Sequence, residues 1–427
     1  GEYRKRCVTG QDQGLLNLGV HFSSVICMIP DSELLEAQIR GGGWHTSRPR
    51  SPSSTVKIQG ETMKKTIAIL EGDGIGPEIM REAVKVLKAV MEKYGHTFDL
   101  VYAPFGASAY FSDGSPFPDK TKRICDEADV IAKGPVGLAV EEMHRIPQEQ
   151  RPELGAILPL RQRYDTFANF RPVRLPAGLK SFSPLKDEVI GDGIDILMIR
   201  ELVGGIYFGE KVEGSMTEMK YARDDCIYKA EDVRRVAIVA FEEARKRKSK
   251  LTNIHKANIL ATSRFWREIV ENIAEDYPDV PYQSVLVDNA AFQLVVNPTQ
   301  FNGVMLLENM QGDILTDQAG GIIGSLGLMP SACIGPEKGY VEPAHGSAPD
   351  IAGKNMANPY SMIGSIAMLF EECLALPEEA SDIWNGIFQV FEEGYITSDL
   401  LAPWHREKNV LTTSQFGEKV VRNILAK

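Results

Sequence analysis

Three arginines, three aspartates, a lysine and a tyrosine carry the side chains with chemistry to offer. Arg161 and Arg171 flank the stretch QRYDTFANF, and Arg200 closes the apolar run DILMIR. Guanidinium groups stay charged and grip carboxylates through paired hydrogen bonds. Three of them could hold a dicarboxylate, or each could make an ordinary surface ion pair. Asp313 and Asp317 in GDILTD stand four apart, so on a helix they share a face. Asp288 closes the apolar run SVLVD, read here as the end of a strand. Three carboxylates suit Mg²⁺ or Mn²⁺, hard ions that take oxygen ligands; Asp313 could equally cap a helix. Lys256 sits in NIHKANIL, among apolar residues. Buried there it would lose proton affinity and suit a base, whereas at the surface it is a solvated charge. Tyr207 in GGIYFG reads as core packing with a satisfied hydroxyl, and His345 as a capping or loop histidine.

Strands alternating with helices must position these groups. TIAIL (Thr66 to Leu70) is a short β-rich run, followed by the glycine-rich loop EGDGIGPEI. Pro77 suits the first turn of a helix, where its missing N–H would be unpaired anyway. Ile79, Ala83, Val86, Leu87, Val90, Met91 and Tyr94 recur at helical spacing, and Gly95 ends the helix. FDLVYA, DVIAKGPVG, DILMIREL, SVLVDNA and GVMLL read as further strands, KAEDVRRVAIVAFEEARKR and MIGSIAMLFEECLA as helices. The pattern is α/β with a largely parallel sheet and no internal repeat. Gly72 and Gly74 begin a dinucleotide-type G-x-G-x-x-G, but Pro77 replaces its last glycine and no acid follows about 20 residues on. The loop is therefore read as a tight strand-to-helix turn that needs positive φ.

Composition narrows the field. The chain has 427 residues, 43 % apolar and 25 % charged, with a net charge of −11. An acidic chain is a poor general binder of nucleic acid, and no apolar run reaches the roughly 18 residues of a membrane span. The six cysteines are scattered without C-x-x-C spacing, which fits a reducing cytoplasm. Residues 1–62, rich in Gly, Ser, Pro and Arg towards their end, read as an extension that is disordered or foreign to the natural protein. Met63 opens the body of the chain.

Strand–GDGIGPE–helix, LRQRYDTFANFRPV, IRELVGGIYFG, HKANIL and the run VDNAAFQLV…GDILTDQAGG…EPAHGSAPDIAGKNMANP together resemble the isocitrate and isopropylmalate dehydrogenases, in the family's order and over nearly all of residues 63–427. The resemblance implies a two-domain, mostly parallel architecture that is not an ordinary Rossmann fold. One domain is 63–164 with 322–427, on the cofactor side; the other is 165–321, on the dimer and metal side. It implies that Arg161, Arg171 and Arg200 bind substrate carboxylates. Asp288, Asp313 and Asp317 would bind Mg²⁺ or Mn²⁺, and Lys256 and Tyr207, with Asp288, would transfer protons.

The same resemblance makes EPAHGSAPDIAGKNMANP the loop that holds the adenosine of NAD, through Glu342, His345, Gly346, Ser347, Ala348, Asp350 and Asn358, with Asn258 also on the cofactor. Asp350 would accept from the ribose hydroxyls and repel a 2′-phosphate; NADP users have Lys-Tyr at Asp350–Ile351. Ile157 and Leu158, four and three before Arg161, offer a hydrophobic wall for an isopropyl group. Glu153 matches the glutamate on the nicotinamide side but sits eight before Arg161, one more than the resemblance implies. The implied reaction is oxidative decarboxylation of a small 2-hydroxy diacid. 3-Isopropylmalate, of leucine biosynthesis, leads; isocitrate, homoisocitrate, D-malate and tartrate are alternatives. A catalytically silent regulatory subunit ranks below them. The implied assembly is a homodimer with shared active sites, higher oligomers remaining open.

Overall fold

In a computed structural model of the chain, the strand that opens the fold, β1 (Lys64–Leu70), buries Ile67 to Leu70 completely. It lies between two parallel neighbours, β2 (Thr97–Tyr102) and β3 (Val130–Lys133). A strand covered on both faces needs a continuous apolar run, which IAIL supplies. The structure describes residues 62–214, 221–402 and 409–426, so the reading of 1–61 as an extension lies outside the described residues.

Helix α1 (Gly76–Tyr94) follows β1 through the glycine-rich loop. Pro77 lies in its first turn, its buried stripe includes Ile79, Ala83, Val86, Leu87 and Val90, and Gly95 caps it at φ 72°. Gly72 and Gly74 have φ of 77° and 57°. A Cβ on Gly72 would lie 2.1 Å from the Pro135 carbonyl oxygen, and one on Gly74 would lie 2.0 Å from that of Ser347. The loop is thus a turn pressed against two other loops, as its glycines predicted.

The remaining described strands are β4 (Ala168–Pro176), β5 (Gly193–Glu201), the short pair β6 (Lys211–Val212) and β7 (Arg223–Asp224), β8 (Leu251–His255), β9 (Tyr282–Leu286), β10 (Gly303–Leu307), β11 (Pro330–Ile334), β12 (Tyr340–Pro343) and a second short pair, β13 (Tyr395–Thr397) and β14 (Asn409–Leu411). Seven of them join β1, β2 and β3 in one ten-stranded sheet, in the order β2-β1-β3-β12-β11-β4-β5-β10-β8-β9. It is parallel except where β12, β11, β4 and β5 meet, all antiparallel. The later helices that bear on the site and its support include α2 (Leu158–Arg163), α3 (Ala230–Lys246), α4 (Ala261–Ala274), α5 (Val287–Val296), α6 (Asn309–Ile322), α7 (Tyr360–Met368), α8 (Pro377–Glu392) and α9 (Thr413–Leu425). Helices α1, α7, α8 and α9 pack on one another, with α7 against β11. Among the described residues no helix is long and apolar enough to cross a membrane.

One element differs from its sequence reading. Asp288 does not end a strand: β9 stops at Leu286, and Asp288 lies in the first turn of α5. An acid there faces the positive end of the helix dipole, and the alternation of SVLVD gives no hint of the change.

Candidate active site

The three arginines come close enough for Arg161 and Arg171 to repel Arg200. Arg171 projects from β4, Arg200 from the end of β5, and Arg161 from α2. They are 5 %, 1 % and 8 % exposed, so none is a surface charge. Asn169 accepts from Arg171 Nε at 2.7 Å, and Thr316 Oγ1 accepts from its Nη1 at 2.6 Å. Asn309 Oδ1 accepts twice from Arg200, at 3.1 and 2.9 Å, and Asp313 accepts from Arg200 Nη1. Tyr340 stands 3.4 Å from Arg161 Nε. Burial, and after it the charges of Arg161 and Arg171, pull Arg200 down to about 10, still charged at neutral pH. Three like charges gathered in a buried position repel one another, so an anion beside them would be favoured.

Helix α6 brings the acids to this cluster. It can approach because residue 312 is glycine: a Cβ there would lie 2.7 Å from Arg200 Cγ. Asp313 also accepts from the Tyr207 hydroxyl at 2.8 Å, and the Tyr207 ring lies 5.7 Å from the Arg200 guanidinium. Burial of Asp313 works against its charge, but Arg200 and Tyr207 outweigh it and hold the carboxyl below the usual range. Asp317, one turn on, lies 3.6 Å from Arg171 and is raised by burial and by Asp313. Burial and the bond to Asp313 push the Tyr207 phenol up to about 12, so it keeps its proton. The sequence alternative of core packing does not describe a ring whose hydroxyl meets an exposed-edge carboxylate.

Lys256 and Asp288 form a second group. Lys256 follows β8, is partly exposed rather than buried, and its Nζ lies 3.0 Å from Asp288 Oδ2. That contact lowers the Asp288 carboxyl. Among the described residues, no hydrogen bond or ion pair joins this pair to the arginine cluster, and no three His, Cys, Asp or Glu side chains of one chain converge as a metal site. Asp288 therefore does not meet Asp313 and Asp317 within one chain. Those two, side by side with open faces, fit as part of an oxygen-ligand set for a hard divalent cation.

The loop after β12 packs on the glycine-rich turn. Ile75 N–H donates to the Ser347 carbonyl at 2.8 Å, and Ser347 Oγ donates to the Gly137 carbonyl at 2.9 Å. Asp73 accepts from Ala107, Ser108 and Gly137 backbone N–H groups at 2.8 to 2.9 Å, tying three loops together. Glu153 reaches this place: its Oε1 would lie 3.2 Å from a Cβ on Gly137. Ala348 is held at φ 40°, a left-handed strain of the kind found at ligand clamps. His345 Nδ1 bonds the Gly346 carbonyl, while its Nε2 is buried without a partner. An orphan imidazole nitrogen beside an open loop fits the edge of a bound base. Gly346 and Asp350 are exposed on the loop, and Asn258 is exposed on the turn after Lys256.

Two expected cofactor contacts are otherwise engaged. Glu342 is buried and paired with Lys133 at 2.7 Å, and Asn358 spends its amide on Thr397 and Tyr360. Both brace the loop from behind. Lys133, Asn169, Asn309, Thr316 and Tyr340 escaped the sequence reading, since nothing in VIAK marks a lysine as buried. Gly312, within the quoted GDILTD, was the one available signal of a close approach.

The chain is similar to known proteins over most of its length. The profile of the isocitrate/isopropylmalate dehydrogenase family matches residues 66–420. A 3-isopropylmalate dehydrogenase of Thermotoga maritima is 45 % identical over 358 residues, covering 84 % of this chain and 98 % of that protein. One from Carboxydothermus hydrogenoformans is 46 % identical over 360 residues, covering 84 % and 94 %. Among solved structures, isocitrate dehydrogenase from Methylococcus capsulatus superposes with a TM-score of 0.74 at 32 % identity, covering 84 % of this chain and 99 % of that one. A β-decarboxylating dehydrogenase from Thermococcus kodakarensis gives 0.67 at 31 %, covering 84 % and 96 %.

Proposed function

We propose, for a chain that belongs to the isocitrate/isopropylmalate dehydrogenase family, the NAD-dependent oxidative decarboxylation of 3-isopropylmalate to 4-methyl-2-oxopentanoate, a step of leucine biosynthesis. The observation that carries the reading is the trio of buried guanidiniums beside Asp313, Asp317 and Tyr207. Their charge asks for a diacid, and the apolar Ile157 on the segment leading to Arg161 suits an isopropyl substituent better than a third carboxylate. The silent-subunit alternative is disfavoured, since every proton-transfer, metal and carboxylate-binding residue is present.

Mg²⁺ or Mn²⁺ and NAD, when bound, supply positive charge for the developing enolate and an acceptor for the hydride. The chain's residues do the rest. Arg161, Arg171 and Arg200 fix the carboxylates and so orient the carbon that is oxidised. Lys256, oriented by Asp288, takes the proton from the substrate hydroxyl. Tyr207, kept protonated by its surroundings, returns a proton to the enol carbon after carbon dioxide leaves. Asp350, exposed in the loop after Ala348, selects NAD over NADP.

A homodimer with shared sites completes the reading. On α5, Asp288 shares a face with Phe292, Val295 and Val296, and on α6, Asp317 shares one with Met310 and Ile314. Phe292 and Ile314 are each 60 % exposed. A second copy covering these apolar faces would bring Asp288 of one chain to Asp317 of the other. The sheet order supports the two-domain division, because strands from 168–307 form one half and strands from 64–133 and 330–343 the other. The four described cysteines are free, which supports a reducing cytoplasm. The test is NADH absorbance with Mg²⁺ and a panel of 3-isopropylmalate, isocitrate, homoisocitrate, D-malate and tartrate. 3-Isopropylmalate should give the highest kcat/KM, and a higher value for any other diacid refutes the assignment.

A further inference from the structure

The segment from Glu153 to Arg161 is not an ordinary helix. Leu158 donates its backbone N–H to the Glu153 carbonyl five residues back, so Glu153–Ile157 form a π turn that runs directly into α2. The local sequence accounts for it. In an α-helix the ring of Pro159 would clash with the carbonyl of Gly155 four residues back, and a wider turn ahead of the proline relieves that clash. A Cβ on Gly155 would lie 2.8 Å from Pro116 Cγ, so the turn is pressed against its neighbour.

The geometric effect is a correction of register. At about 100° per residue, eight α-helical steps would carry Arg161 roughly 80° off the face on which Glu153 starts. A π turn takes up about one more residue than an α turn, which returns Glu153, Ile157 and Arg161 to one stripe. The ends agree with this: Glu153 meets Gly137 beside Ser347, and Arg161 joins the buried arginine cluster. By the same arithmetic Ile157, four before Arg161, lies roughly 40° to one side of it, and Leu158, three before, roughly 60° to the other.

We propose that the π turn is a positioning device that aligns Glu153, Ile157 and Arg161 along one wall of the site, so that Ile157, and not Leu158, reads the apolar substituent of the diacid. The substituent itself rests on the function proposed above; the alignment does not. Removing the extra residue should restore a straight helix with Glu153 and Arg161 seven apart, again on one face.

Deletion of Leu154 together with Pro159→Ala should therefore keep the KM for NAD and the kcat within about threefold, whereas insertion of one alanine after Leu154 should raise the KM for NAD or lower the kcat at least about tenfold. A merely structural segment would suffer from both changes. Equal losses in two folded variants overturn the alignment. Should the deletion variant fail to fold, point substitutions decide. Ile157→Ser should lower the preference for 3-isopropylmalate over D-malate about tenfold or more, and Leu158→Ser less than about threefold. The reverse order, or equal effects, overturns the role of Ile157. A parent protein inactive on 3-isopropylmalate refutes the substrate instead, and NADH binding by the deletion and insertion variants, followed by fluorescence, still reads the turn.

Discussion

Arg200 is sealed in the interior and still bears its charge, because Asn309 and Asp313 take its donors while Arg161 and Arg171 push against it. Another buried charge, Glu342, stands behind the cofactor loop. Burial works against its ionised form, but Lys133 and then Arg161 hold its carboxyl down to about 2. A folded value below the ordinary 4.5 stabilises the fold above that pH, and the contribution is lost as pH falls towards 2. Glu342→Gln, which strands Lys133, should cost about 3–5 kcal/mol near neutrality. In urea unfolding, the gap to the parent should narrow by about 2 kcal/mol between pH 7 and pH 3; a gap that stays constant contradicts the pairing. Asp350→Lys with Ile351→Tyr should weaken use of NAD and improve use of NADP, read as the ratio of the two kcat/KM values. A parent that uses both equally sinks the role given to Asp350. At this scale the arginines, acids and loop were legible because their chemistry is rare in core sequence. Lys133, Asn169 and Thr316 were not, because a polar residue's partners are set by strands distant in the chain.

Helix α6 sits on Arg200 through Gly312, and that contact fixes both the guanidinium and Asp313. Gly312→Ala should overpack the contact at a cost of about 1–3 kcal/mol. The KM for the diacid should rise while the KM for NAD stays near the parent's, since the cofactor loop lies on other elements. Comparable rises in both constants would contradict that separation. Helical period and glycine caps made α1 readable to its end at Gly95, and the β-rich runs located the strands. Asp288 was misplaced because SVLVDNA keeps its apolar character across the strand-to-helix change. The π turn was visible only as an eight-residue spacing beside a proline, and its meaning needed the backbone.

Across the whole molecule, the α/β class followed from alternation, but the sheet order did not: β11 and β12, late in the chain, insert between β3 and β4. No local signal fixes such a return. The same long-range geometry separates the Lys256–Asp288 pair from the cluster of arginines, Tyr207, Asp313 and Asp317. In the proposed homodimer, two chains assemble each site. Lys256→Met and Asp313→Asn should each be nearly inactive alone. Unfolded, mixed and refolded together, they form heterodimers in which one site collects both lesions and the other has none. Random pairing predicts recovery to roughly a quarter of the parent's activity. A mixture as inactive as either variant, with heterodimers shown to be present, would contradict the shared site.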